Sequence, residues 1–358
     1  MLEVADIFRL HGPDYRAQFG NRMLPSHQRA LQDIEQCRTA ALGGQLYVCE
    51  QCQKQRYSYH SCKNRHCPKC QNEQANVWLA AQQSLLLPTH HFLVTFTLPA
   101  ELRAVARSNQ KTIYNLLFRA SSAALQQLAL DPRFIGARLG LVGVLHTWTR
   151  QLLYHPHVHY IVTGGGLTDD HGWLSSRKDF LVPVKALSPI FRAKFRDQLK
   201  KTNLFSLVAA RVWRQDWVVH SEPVGSAQQA FQYLAPYIFR VALSNNRLLK
   251  LENGQVTFAY KESATEQLKR CTITAAEFIR RFLQHVLPNS FIKVRYYGLL
   301  SPTQRPLLLI ARKLLAATTS KLNSPDLKPT QPLALLRCPQ CRGPLTLLAL
   351  LAPRGRAP

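Results

Sequence analysis

The sequence is short of acid. Only 20 of its 358 residues are Asp or Glu, against 46 Lys and Arg, which gives a formal net charge of +26. The basic residues run along the whole chain instead of gathering in a tail. A surplus of this kind argues for a polyanionic partner, with DNA or RNA ahead of a ribosome or an anionic membrane surface. Scarce carboxylates also count against a metallohydrolase for small substrates. Long apolar runs are missing too: no stretch of about 18 apolar residues is present, so none reads as a membrane span. The first residues, Met1-Leu-Glu-Val-Ala-Asp-Ile-Phe8, have no basic region ahead of an apolar one, so they do not read as a secretory signal. Internal repeats and low-complexity linkers are likewise lacking.

What remains is an ordinary globular composition, 46% hydrophobic, with enough chain for two or three domains. The nine cysteines are odd in number and mostly fall in Cys-x-x-Cys pairs. In a cytosolic chain that pattern means metal ligation before disulfides. Cys49-Glu-Gln-Cys52 and Cys67-Pro-Lys-Cys70 flank the alternating stretch Tyr57-Ser-Tyr-His60. Two thiolate pairs around a hairpin suit one tetrahedral zinc ribbon, so Cys49, Cys52, Cys67 and Cys70 are the expected ligands. Cys37, Cys62, His66 and His60 are left for a second zinc site, with Cys37 alternatively a buried apolar residue. Lys63, Arg65 and Lys69 surround the block and could grip a DNA backbone. Cys338-Pro-Gln-Cys341, far downstream, is half a knuckle: a remnant, a partner for another chain, or a redox pair.

The central part carries His155-Pro-His-Val-His159, followed by Tyr-Ile-Val-Thr163. In a strand, residues two apart share a face, so His155, His157 and His159 point together and can share a metal ion. Phe92–Leu98 reads as a buried strand ended by Pro99, residues 101–130 as helical, and Leu139–Thr149 as a second strand. His155–Thr163 is a third, ended by Gly164-Gly-Gly166. A four-residue turn, Gln151 to Tyr154, joins the last two into a hairpin. It sets His146 opposite His159 and Trp148 opposite His157, which brings His146 to the histidine face as a further ligand. A slip of one residue turns it away.

Ser226-Ala-Gln-Gln-Ala-Phe-Gln-Tyr-Leu-Ala-Pro-Tyr237 reads as a helix with Ser226 as its N-cap. Tyr233 and Tyr237 lie four apart, on one face, with Pro236 kinking the helix between them. Core packing is the plain reading of such a pair. Attack on a phosphate is the chemical one, and it needs help in removing a proton whose ordinary pKa is about 10. Further on, Val256–Tyr260 reads as a strand and Thr274 caps a helix through His285. Arg280, Arg281, Lys293 and Arg295 are either DNA contacts or an ordinary solvated face.

Taken together, these motifs resemble the HUH-endonuclease transposases of the IS-91 type over about residues 20 to 345. The resemblance rests on the two Cys-x-x-Cys pairs, His146-Thr-Trp148, His155-Pro-His-Val-His159 with its glycines, Tyr233-Leu-Ala-Pro-Tyr237 and Val294-Arg-Tyr-Tyr-Gly298. It implies an α+β fold: a zinc-ribbon-like domain, then an antiparallel sheet of HUH (ferredoxin- or RRM-like) type with flanking helices, then a C-terminal helical region. The matching boundaries are 1–88, 89–300 and 301–358. It implies structural zinc and catalytic Mg²⁺ or Mn²⁺, with His157 and His159 as the metal pair, His146 and His155 competing for the next place, and Tyr233 and Tyr237 as nucleophiles. Arg240, Arg247 and Arg295 join the basic residues expected on DNA. The implied activity is metal-assisted nicking and joining of single-stranded DNA at transposon ends, in a bacterial cytoplasm near the nucleoid. A replication initiator or relaxase shares that chemistry. A zinc-dependent DNA-binding regulator shares only the binding.

Overall fold

A computed structural model describes residues 2–70, 85, 87–226, 228–230, 242–262, 265–318 and 336–354. The N-terminal elements are helices α1 (Val4–Phe19) and α2 (Pro25–Glu35) and strands β1 (Gly44–Cys49) and β2 (Gln55–Tyr59). Next come β3 (His90–Thr97), α3 (Arg103–Ser108), α4 (Gln110–Ala129), β4 (Arg138–Trp148), β5 (Tyr154–Leu167), β6 (Trp173–Ser175), α5 (Val184–Leu199) and β7 (Val219–Ser226). The rest comprises β8 (Leu248–Glu252), β9 (Gln255–Lys261), β10 (Leu268–Thr274), α6 (Ala275–Leu283), β11 (Val294–Gly298), α7 (Arg305–Thr318) and β12 (Leu345–Leu351).

Strand alternation along β5 organises the largest sheet, ordered β11-β4-β5-β3-β7, with β6 alongside the far end of β5. All its pairings are antiparallel. Val158, Tyr160 and Val162 face one side together with Phe92, Val94 and Phe96 of β3, and there they meet α4 and α5 in the main core. Tyr160 is fully buried, so its hydroxyl must find partners. It has Ser121 Oγ at 2.8 Å and the Phe118 carbonyl at 3.2 Å. The opposite face carries Leu93, Val142, Val144 and Ile161, covered by Leu308, Ala311 and Leu315 of α7. By parity the odd-numbered histidines of β5 belong to this second face.

Three expected boundaries shift. The helix expected over 101–130 breaks at Asn109 (φ −130°, ψ 44°) into α3 and α4. The glycines expected to end β5 are part of it, because β6 pairs there: Gly165 lies opposite Ser175 and Gly166 opposite Leu174. A Cβ on Gly166 would lie 2.5 Å from the Arg138 carbonyl oxygen, so the sequence gives up side chains where strands crowd. The helix α6 starts at Thr274, whose Oγ1 accepts from the Glu277 N–H at 3.2 Å, but it stops at Leu283, short of His285.

A second core joins the N-terminal helices to residues 242–286. Val4, Ile7 and Phe8 of α1 and Leu31 and Ile34 of α2 pack with Phe258 of β9 and Phe278, Ile279 and Phe282 of α6. Phe8 and Phe282 meet edge to face with centroids 5.2 Å apart. Truncating either ring to Ala in such a core costs about 3–5 kcal/mol. The small sheet β10-β9-β8 backs this core. A third sheet, β12-β1-β2, places a strand from the end of the chain against the first hairpin.

Candidate functional site

The β4–β5 hairpin sets the histidines. His146 pairs with His157 and Val144 with His159, two residues away from the register expected of a four-residue turn. The turn is instead Thr149 to Leu153, closed by the Thr149 N–H on the Leu153 carbonyl at 2.9 Å, with Leu152 at φ +61°. A shift of two keeps the face, so His146 still joins the others. Nitrogens of His146, His157 and His159 all lie within 4.8 Å of one another. Their ring centroids are 4.8 to 5.5 Å apart. His146 is buried and stacks on Trp148 at 4.7 Å.

The ring orientations suit a metal. His157 Nδ1 is 2.7 Å from the His155 carbonyl, which can only accept. The proton therefore sits on Nδ1, and Nε2 keeps a lone pair. Burial lowers the His157 pKa to about 4, which favours the neutral, ligating form. His159 Nδ1 lies 2.9 Å from Thr95 Oγ1, its in-register neighbour on β3. With Thr95 accepting, Nε2 of His159 is likewise left for an ion. Three imidazoles fit a first-row divalent metal, and no carboxylate shares the cluster among the described residues.

His155 stands outside. Its Nδ1 accepts from Arg103 Nη2 at 2.6 Å, and burial followed by the Arg103 charge pushes its pKa down. Of the two histidines competing for the place beside the pair, the structure brings in His146 and gives His155 to Arg103. Neither Thr95 nor Arg103 stands out as a site residue in the sequence. Thr95 could have been found from its position opposite β5 in a paired strand; nothing in the sequence marks Arg103.

Tyr233, Tyr237 and Arg240 lie outside the described residues. The flanks of that segment are described. Ser226 accepts from the Gln229 N–H at 3.4 Å, and its own N–H donates to Gln229 Oε1 at 2.8 Å, a reciprocal cap at the expected helix start. Ala230 is buried in the core of the histidine face with Leu93 and Ile161. On the other flank, Ala242 and Leu243 are packed in the core that Leu152 and Trp148 of the hairpin also enter.

The cysteines regroup relative to the sequence expectation. One cluster is Cys37, Cys62, Cys67 and Cys70; the other is Cys49, Cys52, Cys338 and Cys341. In the first, Cys37–Cys70, Cys62–Cys70 and Cys67–Cys37 sulfurs are each 3.6 Å apart. Four sulfurs around zinc at about 2.3 Å sit about 3.8 Å from one another, so this set fits a tetrahedral ion. Cys49 and Cys52 therefore do not join Cys67 and Cys70, because β1 carries them to the opposite end of the small sheet, against the chain terminus. His66 and His60 are in neither cluster. His66 Nε2 accepts from the Leu287 N–H at 3.3 Å, and His60 is exposed. In the second cluster, backbone N–H groups of Cys341 and Gln340 pull the Cys338 thiol down to about 6, and that of Cys52 leads the lowering at Cys49.

Several basic residues expected on DNA are half-buried and engaged in contacts within the protein. Arg65 donates to the carbonyls of Phe291 at 2.6 Å and Pro288 at 2.7 Å. Arg247 donates to the Ala259 carbonyl at 2.8 Å and also to that of Arg150. Arg295 lies over the rings of Phe118 and Phe291 and donates to Asn115 Oδ1 at 2.5 Å. Lys69 pairs with Glu3 at 2.7 Å, while Lys63 is exposed. Among the described residues, no helix is long and apolar enough to cross a membrane.

Known proteins are similar to this chain in sequence. A family described as "Putative transposase" matches residues 140–306, which span β4, β5 and the tyrosine segment. A second, "Transposase zinc-binding domain", matches residues 7–98. The "Putative transposase y4qJ" of Sinorhizobium fredii is 41% identical over 324 residues, covering 85% of this chain and 81% of that protein. The "Transposase for insertion sequence element IS801" of Pseudomonas savastanoi pv. phaseolicola is 29% identical over 288 residues, covering 74% and 68%. The chain belongs to the IS91-type transposases, with an N-terminal zinc-binding domain.

Proposed function

We propose that this transposase nicks and rejoins single-stranded DNA at the ends of an insertion sequence through a covalent 5′-phosphotyrosine intermediate. The observation that carries the reading is the His146, His157 and His159 cluster, with imidazoles oriented by the His155 carbonyl and by Thr95. A divalent ion held there would polarise the scissile phosphate and stabilise its developing charge; imidazole donors favour Mn²⁺, availability favours Mg²⁺.

The protein groups do the rest. Tyr233 or Tyr237 attacks phosphorus, its proton passing to a base or to solvent. The bond from phosphorus to the 3′ oxygen breaks, and that oxygen takes up a proton to become a 3′ hydroxyl. The phosphotyrosine bond replaces the one broken, so the energy is kept for rejoining. The other tyrosine takes the second cleavage or the strand transfer. Single strands are held by positive charge and by base stacking on exposed aromatic rings. Support for this reading of the tyrosines comes from the flanks of their segment, since Ala230 packs on the histidine face and Leu243 lies in the core against which Trp148 packs.

The test is incubation of the protein with single-stranded end DNA and Mn²⁺, followed by denaturing electrophoresis. A protein–DNA adduct that survives denaturation is expected, lost in the Tyr233→Phe/Tyr237→Phe double variant while DNA binding persists. An adduct undiminished in that double variant removes the tyrosine assignment. Binding without any adduct or nicking leaves a DNA-binding regulator.

A further inference from the structure

We infer that Cys49, Cys52, Cys338 and Cys341 bind a second structural zinc ion, which clasps the C-terminal segment of the chain onto the N-terminal hairpin. Cys338 and Cys341 lie outside both matched families, 240 residues beyond the zinc-binding match. The geometry is that of a zinc ribbon whose two halves come from opposite ends of one chain.

Each half is a knuckle of the same construction. The Cys49 N–H donates to the Lys54 carbonyl at 3.1 Å, and the Gln53 N–H donates back to the Cys49 carbonyl at 2.9 Å. The Cys338 N–H donates to the Gly343 carbonyl, and the Arg342 N–H returns to the Cys338 carbonyl, both at 2.8 Å. Gln53 and Arg342, at the same place in each loop, both take positive φ, 56° and 61°. Two unrelated stretches of sequence thus adopt one turn that aims a Cys-x-x-Cys pair at a common point. By contrast Cys67-Pro-Lys-Cys70 runs into a helical turn. Across the knuckles, Cys49 and Cys341 sulfurs are 3.4 Å apart and Cys52 and Cys338 sulfurs 3.8 Å, close to the about 3.8 Å edge of a zinc–thiolate tetrahedron.

The segment needs such a clasp. β12 pairs with β1 along its length, but Leu347, Leu348 and Leu350 remain 49%, 55% and 74% exposed, and no residue of β12 enters any of the three cores. An edge strand held by its backbone ladder alone is marginal in water. Gly43, at φ +68°, gives up its side chain where the strand ends: a Cβ there would lie 2.5 Å from the Leu351 carbonyl oxygen. The Thr346 hydroxyl donates to Glu50, and the Glu50 N–H donates to the Pro344 carbonyl at 3.2 Å, so the two knuckles also touch directly.

The experiment uses the full chain purified without chelators. Metal analysis is expected to give at least two zinc ions per chain, one fewer in Cys338→Ser/Cys341→Ser and, from the other end, one fewer in Cys49→Ser/Cys52→Ser. Limited proteolysis should then release the segment after residue 336 from either variant but not from the parent. A parent chain with one zinc, or a Cys338→Ser/Cys341→Ser variant that keeps the parent's full zinc content, overturns the inference. If the variants do not fold, alkylation of the parent decides. Cys341 is exposed, so only a bound ion protects it. Slow alkylation that becomes fast with a zinc chelator upholds the site, and fast alkylation with zinc present overturns it.

Discussion

Replacing Thr95 with Val isolates what orients the histidines of the proposed metal site. The two side chains have nearly the same shape, both are β-branched, and β3 keeps its ladder to β5 and β7. What is lost is one acceptor, Oγ1, 2.9 Å from His159 Nδ1. Without it the Nδ1 proton has no fixed partner, the tautomer with the proton on Nε2 becomes populated, and that nitrogen can no longer ligate. Loss of such an outer partner typically weakens metal binding about 10- to 100-fold, or roughly 1.4–2.7 kcal/mol. The assay is Mn²⁺ affinity by calorimetry, with the Mn²⁺ dependence of adduct formation on single-stranded DNA beside it. The expected result is a half-saturating concentration raised by that factor, with activity recovering at saturating Mn²⁺. Thr95→Ser, which keeps the oxygen, should restore near-parental affinity. His155→Ala serves as the contrast: its Nδ1 is taken by Arg103, so it should change Mn²⁺ affinity little. An unchanged affinity in Thr95→Val, or a loss that saturating Mn²⁺ does not repair, refutes the orienting role.

Other outcomes follow from the same contacts. Burial holds His91 and His285 down to about 4, below their ordinary 6.5, so the unfolded chain binds more protons between those values. Stability should therefore fall as pH drops from about 6.5 towards 4, by up to about 3 kcal/mol per residue, in urea titrations of the parent; His91→Gln should flatten that slope. Arg65→Ala should cost about 1–3 kcal/mol of stability through the unpaired carbonyls of Phe291 and Pro288, yet leave the salt dependence of DNA binding unaltered. A reduced salt slope would return Arg65 to the DNA surface. Cys37→Ser should lose one zinc and destabilise the packing of α1 and α2, while Cys271→Ser, outside both clusters, should keep the parental metal content by the same analysis.

Parity was the most legible property of the chain. Which residues of β5 share a face depends only on strand geometry, so His157 and His159 could be placed together without knowing the sheet. The hairpin register was misjudged by two residues because loop length is set by local turn chemistry, here Leu152 at positive φ, which its residue type does not advertise. An even error leaves the face unchanged, and His146 arrived on it regardless. The cysteine grouping was not legible from spacing. Two pairs separated by a short hairpin look like one ribbon, yet spacing says nothing about which elements the topology brings together. Counting would have helped: Cys37 and Cys62 lacked a pair, as did Cys338 and Cys341, and joining these orphans to the two complete knuckles uses eight of the nine cysteines. Charge misled in another way. Arg65, Arg247 and Arg295 raise the net charge like any other arginine, but a guanidinium also suits buried carbonyls and aromatic faces, and only the fold shows which it meets.

The hairpin that carries the histidines also ties the zinc-bearing end of the protein to the sheet. Its tip, Leu152, is fully buried in the core built by α1, α2, α6 and the β8–β10 sheet. His285, just beyond α6, grips the same tip: its Nε2–H donates to the Leu152 carbonyl at 3.2 Å, so its Nδ1 must accept from Thr147 Oγ1, also at 3.2 Å. Thr147 separates His146, which faces the other histidines, from Trp148, which stacks on His146 and lies under the Lys293 ammonium at 5.3 Å. The Cys37 cluster belongs to the same core, since Cys37, Cys67 and Cys70 are among its buried residues. A continuous path of packed side chains therefore runs from the first cysteine cluster through the N-terminal helices and α6 to the residue next to His146. Rigid elements on such a path have little room to move independently, because interiors pack at crystal density. The zinc-binding end thus serves as the foundation that holds His146 in place on the sheet, and is more than a lobe beside it.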